Sequence, residues 1–466
     1  MSEQRDQIKA MGRDAFILHE MERLGFWPNE STSGADEIQT TLAKLREIEA
    51  ELVDLRTQLK DLRLKIQAAD EVAHLISKIR QARILRVQAR REARRLEKAN
   101  EAVKRREEFL TRRNRTPFFL GEKVSRGLRF TDVADPKLAQ WDLPPLLNAE
   151  DLATATGITA GKLQWLCFDR TVSTVDHYRR FQIPKRSGAM RSISAPKPLL
   201  RTAQNWIRLN VLSKMQPNDR VAMAFRPGKS IADNARPHAG KAVVVRIDLK
   251  DFFPTVTFAR VKGLFQYVGY NEGIATMLAL LCTETPRATA VIGGKTYYVA
   301  TGPRVLPQGA CTSPDLSNFI CRKLDVRLDG FAKSLGFAFT RYADDLVFSH
   351  AESRGNVNLL TRVVYDIIRA EGFEPNHDKT AIMRSGGRQM VTGLLVNSTP
   401  KVSRRDTRRF RAIAHKCRTE GYITVSETLG CDARSYLKGY LSFVSMVNDI
   451  QALRLERLCP PGLCDS

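Results

Sequence analysis

Between residues 36 and 115 the chain has neither proline nor glycine, and its apolar side chains fall on a seven-residue grid. Leu45, Leu52, Leu59, Ile66 and Ala73 take one position of the grid, and Ile48, Leu55, Leu62, Ala69 and Ile76 take the other. Such a/d spacing predicts a long helix whose seam is buried in a coiled coil or in a helical hairpin folded on itself. Residues 1–30 predict one amphipathic helix ending near Pro28 and the loop Ser31–Gly34, and Pro117 stops the second helix. Residues 1–115 therefore read as a helical arm.

Residues 116–175 carry Gly121, Gly127, Pro136 and the pair Pro144-Pro145, the composition of a connector. A helical stretch follows from Asn148 to about Phe168, with Asn148 as N-cap and Asp151 in the first turn. From 176 to 400 apolar runs of strand length alternate with helical patterns, which predicts an α+β fold. Val243-Val244-Val245-Arg246-Ile247-Asp248 reads as a buried strand ending in a carboxylate, and Phe337–Ser349 as two strands around an Ala343-Asp344 turn. Residues 401–466 are helical and basic, with Arg404, Arg405, Arg408, Arg409, Arg411 and Lys416.

Charge sharpens this picture. Lys and Arg number 75 against 51 Asp and Glu, a formal net charge of +24 that steers the protein toward polyanions. Part of the surplus lies on the arm, where Arg83, Arg86, Arg90 and Arg94 recur at helical spacing on one face, a face for phosphates or for solvent. No apolar run reaches the roughly 18–20 residues that span a bilayer, and the N-terminus lacks a secretory apolar stretch. A cytoplasmic protein without a membrane partner is expected. Eight scattered cysteines read as reduced, mostly buried thiols, with no structural metal site.

The chemistry concentrates in carboxylates. Asp344 and Asp345 are adjacent on a turn, and like charges side by side need cations to compensate them. With Asp248 on a neighbouring strand they suit two-metal phosphoryl transfer, the Leu249 carbonyl completing the shell. In a polymerase, an aromatic five residues after the metal-binding aspartate can stack beneath the sugar and exclude a 2′-hydroxyl, and Phe253 stands at that spacing from Asp248. Gln308 and Gly309, before an apolar helical stretch running to Leu328, suit contact with a nucleotide, as does Ala343 beside the acidic pair. Lys185 and Arg191 lie on a basic hairpin able to close over a triphosphate. Gly228-Lys229-Ser230 ends like a P-loop, but the glycine required five positions earlier is Met223, which excludes that motif.

Together these segments resemble a reverse transcriptase over roughly 176–450. Tyr342-Ala343-Asp344-Asp345 resembles its catalytic box, Asp248 its first metal ligand, and Leu306-Pro307-Gln308-Gly309 its nucleotide-positioning loop. Glu371-Gly372-Phe373 and Asn376–Thr380 resemble the segment that follows, in which Lys379 is the candidate to protonate the pyrophosphate. Asn234-Ala235-Arg236-Pro237-His238 and Val391-Thr392-Gly393 are similar to elements of bacterial retron reverse transcriptases that help recognise their own RNA.

The resemblance implies a right-hand polymerase fold of fingers and palm (176–400) and a basic thumb (401–466), behind the helical, coiled-coil arm. It implies two Mg²⁺ ions with Mn²⁺ as a substitute, held by Asp248, Leu249, Asp344 and Asp345. It also implies deoxynucleoside triphosphates as substrates and a cognate structured non-coding RNA as template. That RNA would be extended from a guanosine 2′-hydroxyl into multicopy single-stranded DNA, a branched RNA–DNA, in a retron anti-phage system. Asn234, His238, Val391, Thr392, Gly393, Arg404, Arg405, Arg408 and Arg409 would contact RNA, the four arginines gripping the duplex. No endonuclease or RNase H segment is visible, so another enzyme is expected to remove RNA. The arm would dock RNA or DNA, an effector protein or another copy of the chain. Alternative readings are a scaffold holding the RNA–DNA and an effector, and an untemplated or protein-primed defence polymerase.

Overall fold

The structure is a computed structural model. It describes residues 7, 13–24, 44, 47–48, 50–60, 72–117, 119–122, 124–184, 188, 190–215, 220–352, 356–460 and 463. The chain divides into two compact units, Met1–Arg105 and Arg106–Ser466.

In the first unit the described helices are Arg13–Arg23, residues 50–60 and the start of Val72–Arg115. Of the expected heptad positions, Leu52, Leu55 and Leu59 are exposed. Leu45, Leu62, Ile66 and Ala69 lie outside the described residues, as do the side chains of Ala73 and Ile76. The arginines at 83, 86, 90 and 94 are exposed. Among the described residues no helix is long and apolar enough to cross a membrane.

The second unit is built on strands β1 (Val172–Ser173), β2 (Tyr178–Pro184), β3 (Met190–Pro196), β4 (Val243–Leu249), β5 (Arg287–Ile292) and β6 (Lys295–Ala300). They are followed by β7 (Ala338–Tyr342), β8 (Asp345–His350), β9 (Pro375–Arg384), β10 (Met390–Val391) and β11 (Leu394–Leu395). Its main sheet is antiparallel, in the order β7-β8-β4-β9. The valine run explains why β4 is central: Val243, Val244, Val245 and Ile247 are all fully buried. Alternation along β4 separates two cores. Val243, Val245 and Ile247 join the larger core, with the buried helix Glu272–Cys282 and the helices Arg322–Ser334 and Val357–Ala370. Val244 faces the other way, joining Val347, Val391, Phe410, Leu437 and Val444 in a second core built on the C-terminal helices.

Three smaller sheets surround this frame: the hairpin β2-β3, the sheet β1-β6-β5 and the hairpin β10-β11. The stretch expected as one helix from Asn148 to Phe168 is two, Ala149–Thr156 and Ala160–Cys167. They are separated at Gly157, which takes φ +68°. Asn148 and Asp151 close a capping box on the first. Ser230, the last residue of the P-loop lookalike, instead caps the helix Ile231–Ala235.

One buried charge underpins the β7–β8 turn. Arg341 is fully buried, and its Nε and Nη2 donate to Asp325 Oδ1 and Oδ2 at 2.6 and 2.7 Å. Its Nη1 donates to Asn318 Oδ1 at 3.0 Å and to the Ala343 carbonyl at 3.2 Å. Burial opposes the guanidinium charge, but attraction to Asp325 outweighs it and keeps Arg341 protonated. Removing one partner leaves the other charge buried and unpaired. Asp325→Ala should therefore lower unfolding free energy by about 3–5 kcal/mol in urea titrations. Pairing it with Arg341→Met should cost clearly less than the sum of the two single changes.

Candidate active site

The main sheet brings the acidic residues together. In the β4–β8 register Asp248 lies directly opposite Asp345, and Leu249 N–H donates to the Asp344 carbonyl at 2.9 Å. Directly opposed residues on one face of an antiparallel pair put their side chains side by side. Asp344 sits on the turn with Ala343, whose φ of 57° is a left-handed conformation that alanine rarely adopts. The Arg341 hydrogen bond to the Ala343 carbonyl holds that geometry.

The electrostatics follow from this crowding. Burial and then the Asp248 charge raise the Asp344 carboxyl above the ordinary range. Burial pushes Asp345 up to about 6, with Asp344 and Asp248 adding to the effect and Arg246 opposing it. Two cations offset part of the charge: Lys379 Nζ is 2.9 Å from Asp248 Oδ2, and Arg246 Nε is 3.7 Å from Asp345 Oδ1. Asn376 Nδ2 also donates to Asp248 Oδ2, at 3.3 Å.

Clustered hard oxygen donors fit a hard divalent cation. Among the described residues no three His, Cys, Asp or Glu side chains form a ready-made metal cage. The protein thus offers a partial shell, which suits an ion that keeps water and substrate phosphate among its ligands.

The described nucleotide-contact candidates lie on several elements of the second unit. Phe253 is half-buried in the helix Phe252–Thr255, against Phe252 at 5.4 Å between ring centroids. The Gln308 carbonyl accepts from Ser194 N–H of β3 at 2.8 Å. Gly309 takes φ 121°, and a Cβ there would lie 2.8 Å from Ile193 Cγ2 and 3.0 Å from the Ser194 carbonyl. Only glycine lets the loop approach the hairpin this closely. Arg191, on β3, is near enough for its charge to oppose the rise at Asp344. Lys185 lies outside the described residues.

The expected RNA contacts separate into two groups. Arg404, Arg405, Arg408 and Arg409 are exposed on the helix Arg404–Glu420. Three of them, with Arg388, Lys401, Arg411 and Arg454, line an open groove of about 1110 Å³ that Arg409 does not reach. Asn234, His238 and Val391, by contrast, are fully buried, so these side chains offer no surface to a nucleic acid. His238 is wedged between Ser349 Oγ and Thr340 Oγ1, both at 2.7 Å. Thr392 and Gly393 form the β10–β11 turn, with φ of 46° and 85°, and Thr392 Oγ1 donates to the Ile231 carbonyl at 3.2 Å. The two elements therefore touch each other, leaving Arg236, Pro237 and Gly393 exposed and Thr392 half-buried.

Sequence reasoning missed Arg341, Asp325, Asn318, Asn376 and Arg246. The available signal was a charged residue inside an apolar strand run, as at Arg341 and Arg246. Burial, together with the nearby Lys241 charge, depresses His238 to about 3 from an ordinary 6.5. A lowered histidine stabilises the fold above its unfolded value, and that stability is lost as pH falls from 6.5 toward 3. Between pH 6.5 and 5 the loss should be about 2 kcal/mol. Urea unfolding of His238→Gln should be flatter over that range by this amount, relative to the unmodified protein.

The chain is similar to known proteins over the segment that carries this site. The reverse transcriptase (RNA-dependent DNA polymerase) family model matches residues 183–418, just over half the chain. The retron Mx162 reverse transcriptase of Myxococcus xanthus is 44% identical over 321 residues, which cover 66% of this chain and 65% of that protein. The Myxococcus xanthus Mx65 enzyme is 41% identical, over 72% of this chain and 77% of its own. The Escherichia coli Ec86 enzyme is 32% identical, over 68% and 90%. The chain thus spans just under two thirds of the Mx162 protein and most of the Ec86 protein. Among solved structures, a Candida albicans telomerase in complex with a telomeric RNA fragment overlays at TM-score 0.38 and 11% identity, covering 62% of each chain. By its family model and these relatives, the chain belongs to the reverse transcriptases, the RNA-directed DNA polymerases, and within them to the retron enzymes.

Proposed function

We propose that the protein copies part of a cognate structured non-coding RNA into multicopy single-stranded DNA, a branched RNA–DNA, using deoxynucleoside triphosphates, within a retron anti-phage system. The observation that carries this reading is the acidic centre, with Asp248 opposite Asp345 and Asp344 on the adjoining turn. Asp248 and Asp344 would hold two Mg²⁺ ions, or Mn²⁺ in their place, with Asp345 and the Leu249 carbonyl in support. When bound, such a pair supplies neutralisation of charge on the attacking hydroxyl and on the departing pyrophosphate.

The chain's own residues account for the rest. Arg191 and Lys185 clamp the triphosphate from the β2–β3 hairpin, Arg191 by its fork of donors. Phe253 lies under the sugar, and Gln308 and Ala343 frame the nucleotide. Lys379, paired with Asp248 in this structure, gives a proton from Nζ to the pyrophosphate oxygen once released from that carboxylate. Arg404, Arg405, Arg408 and Arg409 grip the duplex backbone. Asn234, His238 and Val391 act through their packing, holding Thr392 and Gly393 toward the RNA. The exposed Leu52, Leu55 and Leu59 support a coiled-coil arm that docks an effector or another copy.

Asp344→Asn should lower DNA synthesis at least roughly a thousandfold, a barrier increase of about 4 kcal/mol, while the same RNA still copurifies. Primer extension and sequencing of the copurified nucleic acid check both points. Undiminished synthesis by this variant would refute the assignment, and a copurifying DNA that matches no template would favour the untemplated reading. Phe253→Val should admit ribonucleotides, reducing discrimination in single-nucleotide incorporation by about 10- to 100-fold.

A further inference from the structure

A second cavity, of about 600 Å³, opens one aromatic ring away from Phe253. It lies between the end of the helix Pro198–Asn210, the segment around Phe225 and the helix Ser313–Ile320 that follows the Gln308 loop. That volume is within the range of small-ligand sites and accommodates one nucleotide.

Its lining is specific in chemistry. Phe225 is 41% exposed and stands 6.5 Å from Phe253 between ring centroids. It takes φ 59°, a conformation that bulky side chains rarely adopt and that clusters at ligand sites. Phe319 gives a buried apolar wall, and Arg208 and Lys229 are exposed cations of the lining. Asp315 adds a half-buried carboxyl that makes no hydrogen bond among the described residues. Burial pushes it up to about 6, against the pull of Arg208.

The wall is also preorganised. Asn318 Nδ2 donates to the Ala224 carbonyl at 2.7 Å, fixing the residue before Phe225, while Asn318 Oδ1 accepts from Arg341 at 3.0 Å. The group that steadies the catalytic turn therefore steadies this cavity too. An exposed ring for a base, cations for phosphate and an acceptor for a base-edge N–H are the parts of a single-stranded nucleic-acid site.

We propose that this cavity holds one unpaired nucleotide of the RNA template before it reaches the catalytic centre. Its base stacks on Phe225, its flanking phosphates meet Arg208 and Lys229, and its base edge donates to Asp315. Proximity to Phe253 favours a nucleotide continuous with the copied strand over a free mononucleotide of the same chemistry. The proposal rests on the polymerase reading above.

The test uses the full chain and primed RNA templates carrying one photoreactive 4-thiouridine at successive positions ahead of the templating base. Irradiation should cross-link a single position to the segment 225–229, as mapped by mass spectrometry, and Phe225→Leu should cut that yield about tenfold. The double variant Arg208→Gln, Lys229→Gln, which leaves the Phe225 backbone untouched, should raise the template KM about tenfold. The KM for the deoxynucleoside triphosphate should stay within twofold. Equal cross-linking at every position, or none to this segment, overturns the proposal when the unmodified protein extends the same templates. Abolition of the cross-link by saturating adenosine or guanosine monophosphate, with those nucleotides binding in the absence of template, overturns it in favour of a free-nucleotide site. Failure of the unmodified protein to extend any template removes the polymerase reading instead.

Discussion

A guanidinium with no access to water holds the β7–β8 turn in place. Arg341 reaches Asp325, Asn318 and the Ala343 carbonyl at once, so the helices Ser313–Ile320 and Arg322–Ser334 and the β7–β8 turn share one charged node. The turn needs such support for two reasons. Ala343 adopts a backbone conformation that alanine disfavours, and Asp344 follows in a place where burial and Asp248 resist its ionisation. A buried ion pair adds little net stability compared with an apolar replacement, but the four hydrogen bonds of Arg341 tie two helices and the turn to one point. The node is better understood as a device for geometry than as a source of stability.

A second constraint joins the β2–β3 hairpin to the Gln308 loop. Ser194 N–H bonds the Gln308 carbonyl while Gly309 passes too close to β3 for any side chain. At the root of the hairpin, Arg180 bridges Asp176 at 2.9 Å and Glu284 at 2.7 Å. The hairpin is thereby anchored at its base and along its edge, and Arg191 is carried to where its charge is felt at Asp344. A cation on an unanchored hairpin would lose that effect to solvent screening.

Much of the acidic centre was legible in the sequence because its signals are local. A valine run ending in Asp248 and two adjacent aspartates on a turn declare strands and carboxylates without knowledge of the fold, and the β4–β8 register pairs them. The Asn148 cap and the stop before Pro117 were legible for the same reason, whereas the break at Gly157 was not, since a single glycine is compatible with a continuing helix. What the sequence hides is burial across distant segments. Nothing local shows that Arg341 meets Asp325 inside a core, or that His238 ends between Ser349 and Thr340. The resemblance to retron enzymes suggested side-chain contact with RNA at Asn234 and His238, yet both are covered by the fold. A short motif identifies an element without saying which of its faces is exposed.

The distribution of charge ties these features together. Among the described residues basic side chains are carried at the surface, as on the exposed arginines of the helix Arg404–Glu420, whereas the carboxylates of the centre are partly buried. A nucleic-acid backbone is drawn to the basic groove but repelled by Asp248, Asp344 and Asp345 once they ionise. Lys379 pairs with Asp248 and Arg246 with Asp345, while Asp344 makes no ion pair among the described residues and feels Lys379 and Arg191 only at longer range, so the repulsion stays incompletely screened. Stronger fixed cations would quiet the site, but they would also occupy the oxygens that a divalent ion must take. Incomplete internal compensation is therefore a requirement of the chemistry, and the buried Arg341 node allows the fold to tolerate it.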